Sequence, residues 1–594
     1  MHRRRKYKIN LAKRIDRWLE NRRILLMKTF GTREFTRKEA TDVLKEKFGD
    51  DEKAVAAVLS ELKHAGYLEM RPDPTDARKT IYCLKEVKIL EPETEELTRD
   101  ELESLLKRAA DLIRTRVDYK FILILLFLKR ISDKWEMEFK QVYEQLLRNG
   151  LSEEEAEEEA KSSIYHEFDL PEKFLWENLR KDVARLPERL AECLKTLAER
   201  NPELKDVVDR GDFLQFARSS ENAEILRQLV ELFSSRKLHH VSPDVLGDAY
   251  EWVLRYFAPE KAKEGEIYTP REVIKLLVEI LNPKSGESVY DPACGSGGML
   301  ILSFKNVEEK EGREATRKLS LYGQEANREI FALCKMNMYI HDIRDVNIEW
   351  GDTLLYPKFI EGNRPKTFDV VMANPPWNQD GYHEEVLKKG EFWGERFVYG
   401  FPPKQSADWA WIQHMLASAD GKNGRVGVVI DNGCLFRGGK ERAIRERVLR
   451  DDLLECVILL PEKLFYNTGA PGAILIFRKH KPAERKGKIL FINASQEYEK
   501  HPEVRKLNRL GEANIRKIAE AYRNFKDVEG FARVVSLGEV RENDYNLNVT
   551  LYVFPEEKVE EIDVAKEWEE LCKIEKEIAE VEEKIRGYLR EVGG

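Results

Sequence analysis

The chain has 594 residues, with 101 Lys and Arg against 109 Asp and Glu, a net charge of −8, 42% hydrophobic and 35% charged side chains, and 7 Cys. That length holds several packed cores, about four domains at roughly 150 residues each, and the composition excludes disordered and collagen-like classes. The longest unbroken apolar run, Phe121 to Leu128, stops at Lys129 and Arg130, far short of the ~18 residues that a membrane span needs.

The opening MHRRRKYKIN is basic but leads into a charged amphipathic stretch with no apolar core behind it, so the chain is expected to be cytoplasmic and without a membrane partner. The cysteines are scattered and form no C-x-x-C pair; they are expected to be reduced and structural, and no metal site is expected.

Three helices are predicted first, over Leu11–Thr29, Thr36–Phe48 and Glu52–Ala65, with Gly66 in the position that ends a helix. Two short strands follow, 67–70 and 79–84, flanking the Pro- and Asp-containing loop 71–78. That order predicts a winged helix-turn-helix over residues 1–92. In it the helix from Glu52 would face a major groove and the wing basics Arg71, Arg78 and Lys79 would lie near phosphates, while the scarcity of base-reading Arg, Asn and Gln in Glu52–Ala65 suits a protein partner equally.

The acidic linker at 90–95 precedes a stretch, 98–240, that is poor in Gly and carries apolar residues at i, i+3 and i+4, predicting a helical domain. Within it Phe121–Leu128 is apolar all round, as a helix at the centre of a bundle must be. The run Glu153–Glu159 reads as a solvated helix face.

From about Val245 short β-branched strands alternate with helical stretches, the pattern of a parallel α/β sheet. Seven strands are predicted: Ser288–Asp291, Leu319–Glu325, Val346–Trp350, Phe368–Ala373, Arg425–Asp431, Leu454–Leu460 and Ala473–Arg478. They define a catalytic domain at 241–485. The remainder, 486–594, holds one further strand, Lys488–Ile492, and charged helices ending in Lys558–Arg590, whose near-heptad spacing suits a partner helix.

The chemistry gathers at the strand ends. Asp291-Pro-Ala-Cys-Gly-Ser-Gly-Gly298 follows the first strand and opens a helix, so its glycines let backbone approach a ligand at a helix N-terminus. Glu325 and Asp352 fall at the ends of the next two strands, at the carboxyl edge where open α/β sheets bind ligands, and an acid there suits ribose hydroxyls. Either acid alone reads as a helix cap; beside a glycine loop they reinforce one another. After the fourth strand comes Asn374-Pro-Pro-Trp377, in which two prolines remove N–H donors and leave backbone carbonyls and an amide oxygen as acceptors, with a flat aromatic beside them. Such a pocket suits a planar amine.

This pair of motifs resembles the S-adenosylmethionine-dependent amino-methyltransferases of DNA adenine. With Val245-Leu-Gly-Asp-Ala-Tyr-Glu-Trp and Gly265-Glu-Ile-Tyr-Thr-Pro-Arg-Glu-Val ahead of the glycine loop, residues 98–477 closely resemble the modification (M) subunit of type I restriction-modification systems. The winged helix in front departs from that family's usual pattern. The resemblance implies a Rossmann-like class I methyltransferase domain with a mostly parallel seven-stranded sheet, and S-adenosyl-L-methionine as cofactor. It implies that Tyr268, Thr269 and Pro270 pack on the cofactor, that Asp291, Gly295, Ser296, Gly297 and Gly298 line its methionine end, that Glu325 holds its ribose, and that Asp352 and Thr353 hold its adenine. Asn374, Pro375, Pro376 and Trp377 would hold the target base, flipped out of double-stranded DNA, with Phe465 and Tyr466 as further stacking surfaces. It further implies a specificity (S) subunit, a restriction/translocase (R) subunit in the full complex, and two M subunits per complex.

Absences sharpen this reading. No Pro-Cys dipeptide offers the nucleophile of cytosine C5 methylation, and no G-x-x-x-x-G-K-[ST] loop offers ATP-driven translocation. About 115 residues after Arg478 leave no room for two DNA-reading domains. The alternatives are a solitary N6-adenine or N4-cytosine DNA methyltransferase, a methyltransferase for an RNA base or a glutamine amide, and a non-catalytic winged-helix DNA-binding scaffold.

Overall fold

The computed structural model describes residues 17–30, 33–64, 68–72, 80–84, 97–113, 117–205, 207–208, 212–239, 241–263, 268–466, 468–502, 504–554 and 564–591. The predicted helix start at Leu11, Gly66, most of the loop 71–78 with Arg78, the neighbouring Lys79, and the linker at 90–95 lie outside the described residues. The chain divides into two compact units, Met1–Leu97 and Thr98–Gly594.

In the first unit α1 (Arg17–Phe30), α2 (Arg37–Phe48) and α3 (Glu52–His64) pack with β1 (Phe35–Thr36), β2 (Leu68–Pro72) and β3 (Thr80–Leu84), in the sheet order β1-β3-β2. This helix–strand–helix–helix–strand–strand order is that of a winged helix. Thr36 caps α2 in a reciprocal capping box with Glu39, and the left-handed Gly49 ends the helix. Leu26, Phe35, Leu44, Val55, Leu62 and Leu84 form its core. The two-residue β1 was not predicted, because a strand that short carries no alternation to read.

The second unit opens with the predicted helices, among them α4 (Arg99–Ile113), α5 (Lys120–Arg148), α6 (Glu153–Ala160), α7 (Leu186–Arg200), α8 (Ser220–Ser234) and α9 (Pro243–Lys263). Phe121 to Leu128 are all buried, which explains a segment with no polar face. One turn on, Lys129 and Asp133 form a fully buried ion pair, and Asp133 Oδ2 also accepts the Leu238 N–H at 2.7 Å. In α6 only Ala156 and Ala160 are buried, so the glutamates face solvent as expected.

The α/β part holds α10 (Arg271–Leu281), β4 (Ser288–Asp291), α11 (Gly298–Glu311), β5 (Ser320–Glu325), α12 (Arg328–Ile340), β6 (Val346–Trp350), β7 (Val370–Ala373), α13 (Asp408–Ala417), β8 (Arg425–Asp431), α14 (Gly439–Arg450), β9 (Leu454–Leu459) and β10 (Gly472–Arg478). Beyond these come β11 (Lys488–Asn493), α15 (Glu512–Asn524), β12 (Ala532–Ser536) and α16 (Val564–Glu591). One sheet runs β12-β11-β9-β10-β8-β7-β4-β5-β6. The strands from β6 to β8 are parallel, and β10 inserts antiparallel between β8 and β9.

The sheet therefore has nine strands, two more than the seven expected. β11 pairs parallel to β9, and β12 closes the edge antiparallel to β11, so the fold continues past the boundary placed at 485. The physical reason is burial: Ile489, Leu490, Phe491 and Ile492 alternate between the two core faces and leave neither face to solvent. Period-2 alternation also splits β7, with Val370 and Met372 facing α10 and α11 and Val371 and Ala373 facing α13. No helix among the described residues is long and apolar enough to cross a membrane.

Candidate active site

The carboxyl ends of β4, β5, β6 and β7 converge on a cavity of about 390 Å3. β4 delivers Asp291, and the chain then turns through Gly295 and Gly297 with φ of +53° and +87°, a left-handed path that favours glycine. A Cβ at Gly297 would lie 2.2 Å from Met338 Cε and 2.9 Å from Cys334 Sγ, so the loop rests directly on α12. Asn337 Nδ2 donates to the Ser296 carbonyl at 2.9 Å, and the Cys294 N–H donates to the Gln324 carbonyl at 3.0 Å. The loop is thus held from below, with α11 starting at its far end.

Glu325 bridges two turns. Its Oε2 accepts the Gly295 N–H at 3.0 Å and its Oε1 the Asn327 N–H at 2.7 Å. Two residues past β6 Asp352 accepts the Leu355 N–H at 3.1 Å and the Tyr382 hydroxyl at 2.8 Å, while Thr353 Oγ1 donates to the Pro292 carbonyl at 2.7 Å. Burial pushes the Asp291 carboxyl up to about 8, against one opposing hydrogen bond from the Ala293 N–H at 3.0 Å. Burial also raises Glu325.

Asn374 at the end of β7 is held on both sides of its amide. Its Nδ2 donates to Thr269 Oγ1 at 2.8 Å, and its Oδ1 accepts the Trp377 indole N–H at 2.8 Å. Because an indole N–H only donates, this contact sets which way the amide faces. The Trp377 ring packs edge-to-face on Phe465 at 4.7 Å and sits against Gly472, where a Cβ would approach it to 2.8 Å. After the motif, Asn378 takes φ +52° and donates its N–H to the buried Asp408 at 2.9 Å, and Arg437 in turn pairs with Asp408 at 3.0 Å. The turn is thereby pinned to α13.

Of the residues expected at the site, Tyr268, Gly295, Ser296, Glu325, Asp352, Thr353, Asn374 and Pro376 border the main cavity. Thr269, Asp291 and Gly298 border a narrower cleft that shares Tyr268, Gly295, Ser296 and Asn374 with it. Gly297 forms the side of the loop that faces α12, Pro270 caps α10, and Pro375 and Trp377 are not among the cavity walls. Phe465, expected as a stacking surface, is instead 1% exposed and packs on Trp377 in the core. Tyr382, Gln379, Asn327 and Tyr119 border the cavity too, beyond the residues expected there. Asn327, two residues past Glu325, was the one with a readable signal; Tyr119 comes from the helical part and had none.

Taking β4 as first, the strand order is 3-2-1-4-5-7-6 with the seventh strand antiparallel and the site on the carboxyl edge. That arrangement is a class I methyltransferase. Residues 241–561 match the family described as N-6 DNA Methylase, and residues 102–233 match the HsdM N-terminal domain. The chain is 46% identical to the type I restriction enzyme MjaVIII methylase subunit of Methanocaldococcus jannaschii, over 96% of this chain and 97% of that one. It is 31% identical to the HindI methylase subunit of Haemophilus influenzae, over 70% and 94%. Among solved structures it resembles a type I restriction-modification methyltransferase subunit from Streptococcus thermophilus, at 26% identity and a TM-score of 0.67, covering 77% of this chain and 100% of that one. The chain belongs to the type I restriction-modification methylase subunits and carries their N6-adenine methyltransferase domain.

Proposed function

We propose that the cavity holds S-adenosyl-L-methionine against an adenine flipped out of double-stranded DNA, and that Asn374 activates the adenine N6. The donor set fits that cofactor: three carboxylates stand at the ends of three successive strands, and the first is buried with Ala293 N–H as its one hydrogen bond among the described residues. Asp291 and the Gly295–Gly298 loop would take the methionine end, Glu325 the ribose, and Asp352 with Thr353 the adenine ring. Tyr268, Thr269 and Pro270 would close over them. When bound, the cofactor supplies an electrophilic methyl group.

The observation that carries the reading is the locked amide. Asn374 Oδ1 keeps a lone pair beyond the one turned to Trp377, and the carbonyl of Pro375, the next residue along the chain, would serve as the second acceptor. Accepting the two N6–H protons draws nitrogen lone-pair density out of the ring and turns it toward the methyl group, so no strong base is required. Pro376 forms the wall against which the base would lie. Trp377 acts by orienting Asn374. Flipping the base costs a few kcal/mol, which packing against Pro376 would partly offset.

Sequence recognition is assigned to a specificity subunit docking on α16. Leu571, Ile574, Ile578, Val581 and Ile585 recur at spacings of 3, 4, 3 and 4 and are 48% to 55% exposed, a coiled-coil seam without a partner among the described residues. Two such chains per complex, joined by a restriction subunit for cleavage, complete the proposal. The test is methyl transfer from labelled cofactor to DNA with and without the specificity subunit, followed by identification of the modified nucleoside. N6-methyladenine formed with the partner alone supports the reading. Label on DNA without any partner makes the chain a solitary enzyme, and no label on DNA overturns the assignment.

A further inference from the structure

A second cavity, also about 390 Å3, shares Tyr268 with the main one and is bordered by Arg255, Glu272, Tyr466 and Arg509, with Asp100 and Glu103 also on its wall. Its arginines differ in how far they are satisfied. Arg99 is paired with Glu103 at 2.9 Å, and Arg271 with Asp248 and Glu251 at 2.6 and 2.9 Å. Arg255 makes no hydrogen bond or ion pair among the described residues, and its field is felt by Glu272. Arg509 gives Nη2 to Glu499 at 3.0 Å, but its buried Nε has no hydrogen-bond partner among the described residues.

This cavity adjoins the reacting centre through a short relay. Asn374 bonds Thr269, the neighbouring Tyr268 forms part of both cavities, and Tyr268 meets Tyr466 edge-to-face at 5.8 Å. Guanidiniums interleaved with tyrosine rings are the chemistry that grips a nucleic-acid strand, charge on phosphate and ring on sugar or base. A peptide carboxylate would suit the arginines but not the paired rings.

We infer that Arg255 and Arg509 form a clamp for the DNA backbone phosphate beside the flipped adenine, with Tyr466 along the sugar. The inference rests on the reading of the chain as a DNA methylase. Glu272 occupies the clamp's anionic place in the free protein and opposes the phosphate. Burial raises its carboxyl, which eases its neutralisation as the strand arrives. The clamp contributes affinity that is independent of sequence, since phosphate contacts position the duplex and carry no base information.

The test is DNA binding and methyl transfer by the complete chain with its specificity subunit across a salt series, for Arg255→Gln, Arg509→Gln and Glu272→Gln. Each arginine variant is expected to bind DNA several-fold more weakly and to lower the salt slope by about 0.9 for each phosphate no longer neutralised, with cofactor affinity unchanged. Glu272→Gln is expected to bind DNA more tightly, a direction that misfolding does not produce. Unchanged DNA affinity and slope in both arginine variants, while the wild type methylates DNA, overturn the clamp and leave the methylase reading standing. A wild type that transfers no methyl group to DNA overturns both.

Discussion

At Asn374 a single amide is asked to be an acceptor of fixed direction, and three side chains combine to fix it. Asn374→Ala is expected to reduce kcat by about 10²–10³ or more while cofactor binding persists, checked by single-turnover methylation beside equilibrium binding. Gly472→Ala reaches the same step from a distance: its Cβ would fall 2.8 Å from Trp377 and 2.9 Å from Phe465, shifting the indole and releasing the amide. Loss of transfer with cofactor affinity intact, and a destabilisation of about 1–3 kcal/mol, is the expected outcome.

Asp291 yields a pH prediction. Its carboxyl is raised in the folded protein to about 8, so the folded free protein prefers it protonated and loses stability as pH rises from the unfolded value toward 8. On the proposed placement of the cofactor, its ammonium beside Asp291 favours the ionised form, so binding releases a proton. Cofactor affinity is therefore expected to rise with pH up to about 8 and then level off, and Asp291→Asn to flatten that profile, as calorimetry in buffers of different ionisation enthalpy would read. That Asp291, Glu325, Asp352 and Asn374 gather at one edge of the sheet was legible because parallel strands end where ligands bind. Trp377 was expected to offer its face to the base; its orientation depends on Phe465 and Gly472, about ninety residues away, and no local pattern carries that.

Among the elements, α16 shows what periodicity conveys and what it omits. At 28 residues it is about 42 Å long, and its seam was readable from heptad spacing before any packing was known. Placing Lys at Ile574 and Ile578 is expected to abolish association with the specificity subunit, measured by co-purification and sedimentation, without altering the melting of the sheet or cofactor binding. By contrast β12 lies in a segment read as charged helix. Its buried Ala532 and Val535 stand three residues apart, with Arg533 and Ser536 exposed, so five residues show no clean period of two to set against the charged helical stretches on either side.

For the molecule as a whole, the division at Leu97 makes a strong statement about independence. The winged helix has its own core of Leu26, Phe35, Leu44 and Val55. Removal of Met1–Leu97 is expected to leave the remainder folded with wild-type cofactor affinity, checked by thermal melting with and without ligand. Its effect on DNA affinity then tells a nucleic-acid-binding wing from a protein-docking one.

The strand order also dictates a schedule of synthesis. Asp291, Glu325, Asp352 and Asn374 have all been translated by residue 374, but Trp377 finds its seat only with Phe465 and Gly472, and the outer edge pairs only with β12 at Ser536. At 5–20 residues per second the ribosome takes roughly 10–30 s to cover that interval. Within it the open apolar flank passes from β7 to β8 and then to β9 and β11, each awaiting a strand that does not yet exist. The growing chain is then most prone to aggregate, and most in need of a chaperone, just after the Asn374–Trp377 motif emerges and well before the enzyme is complete.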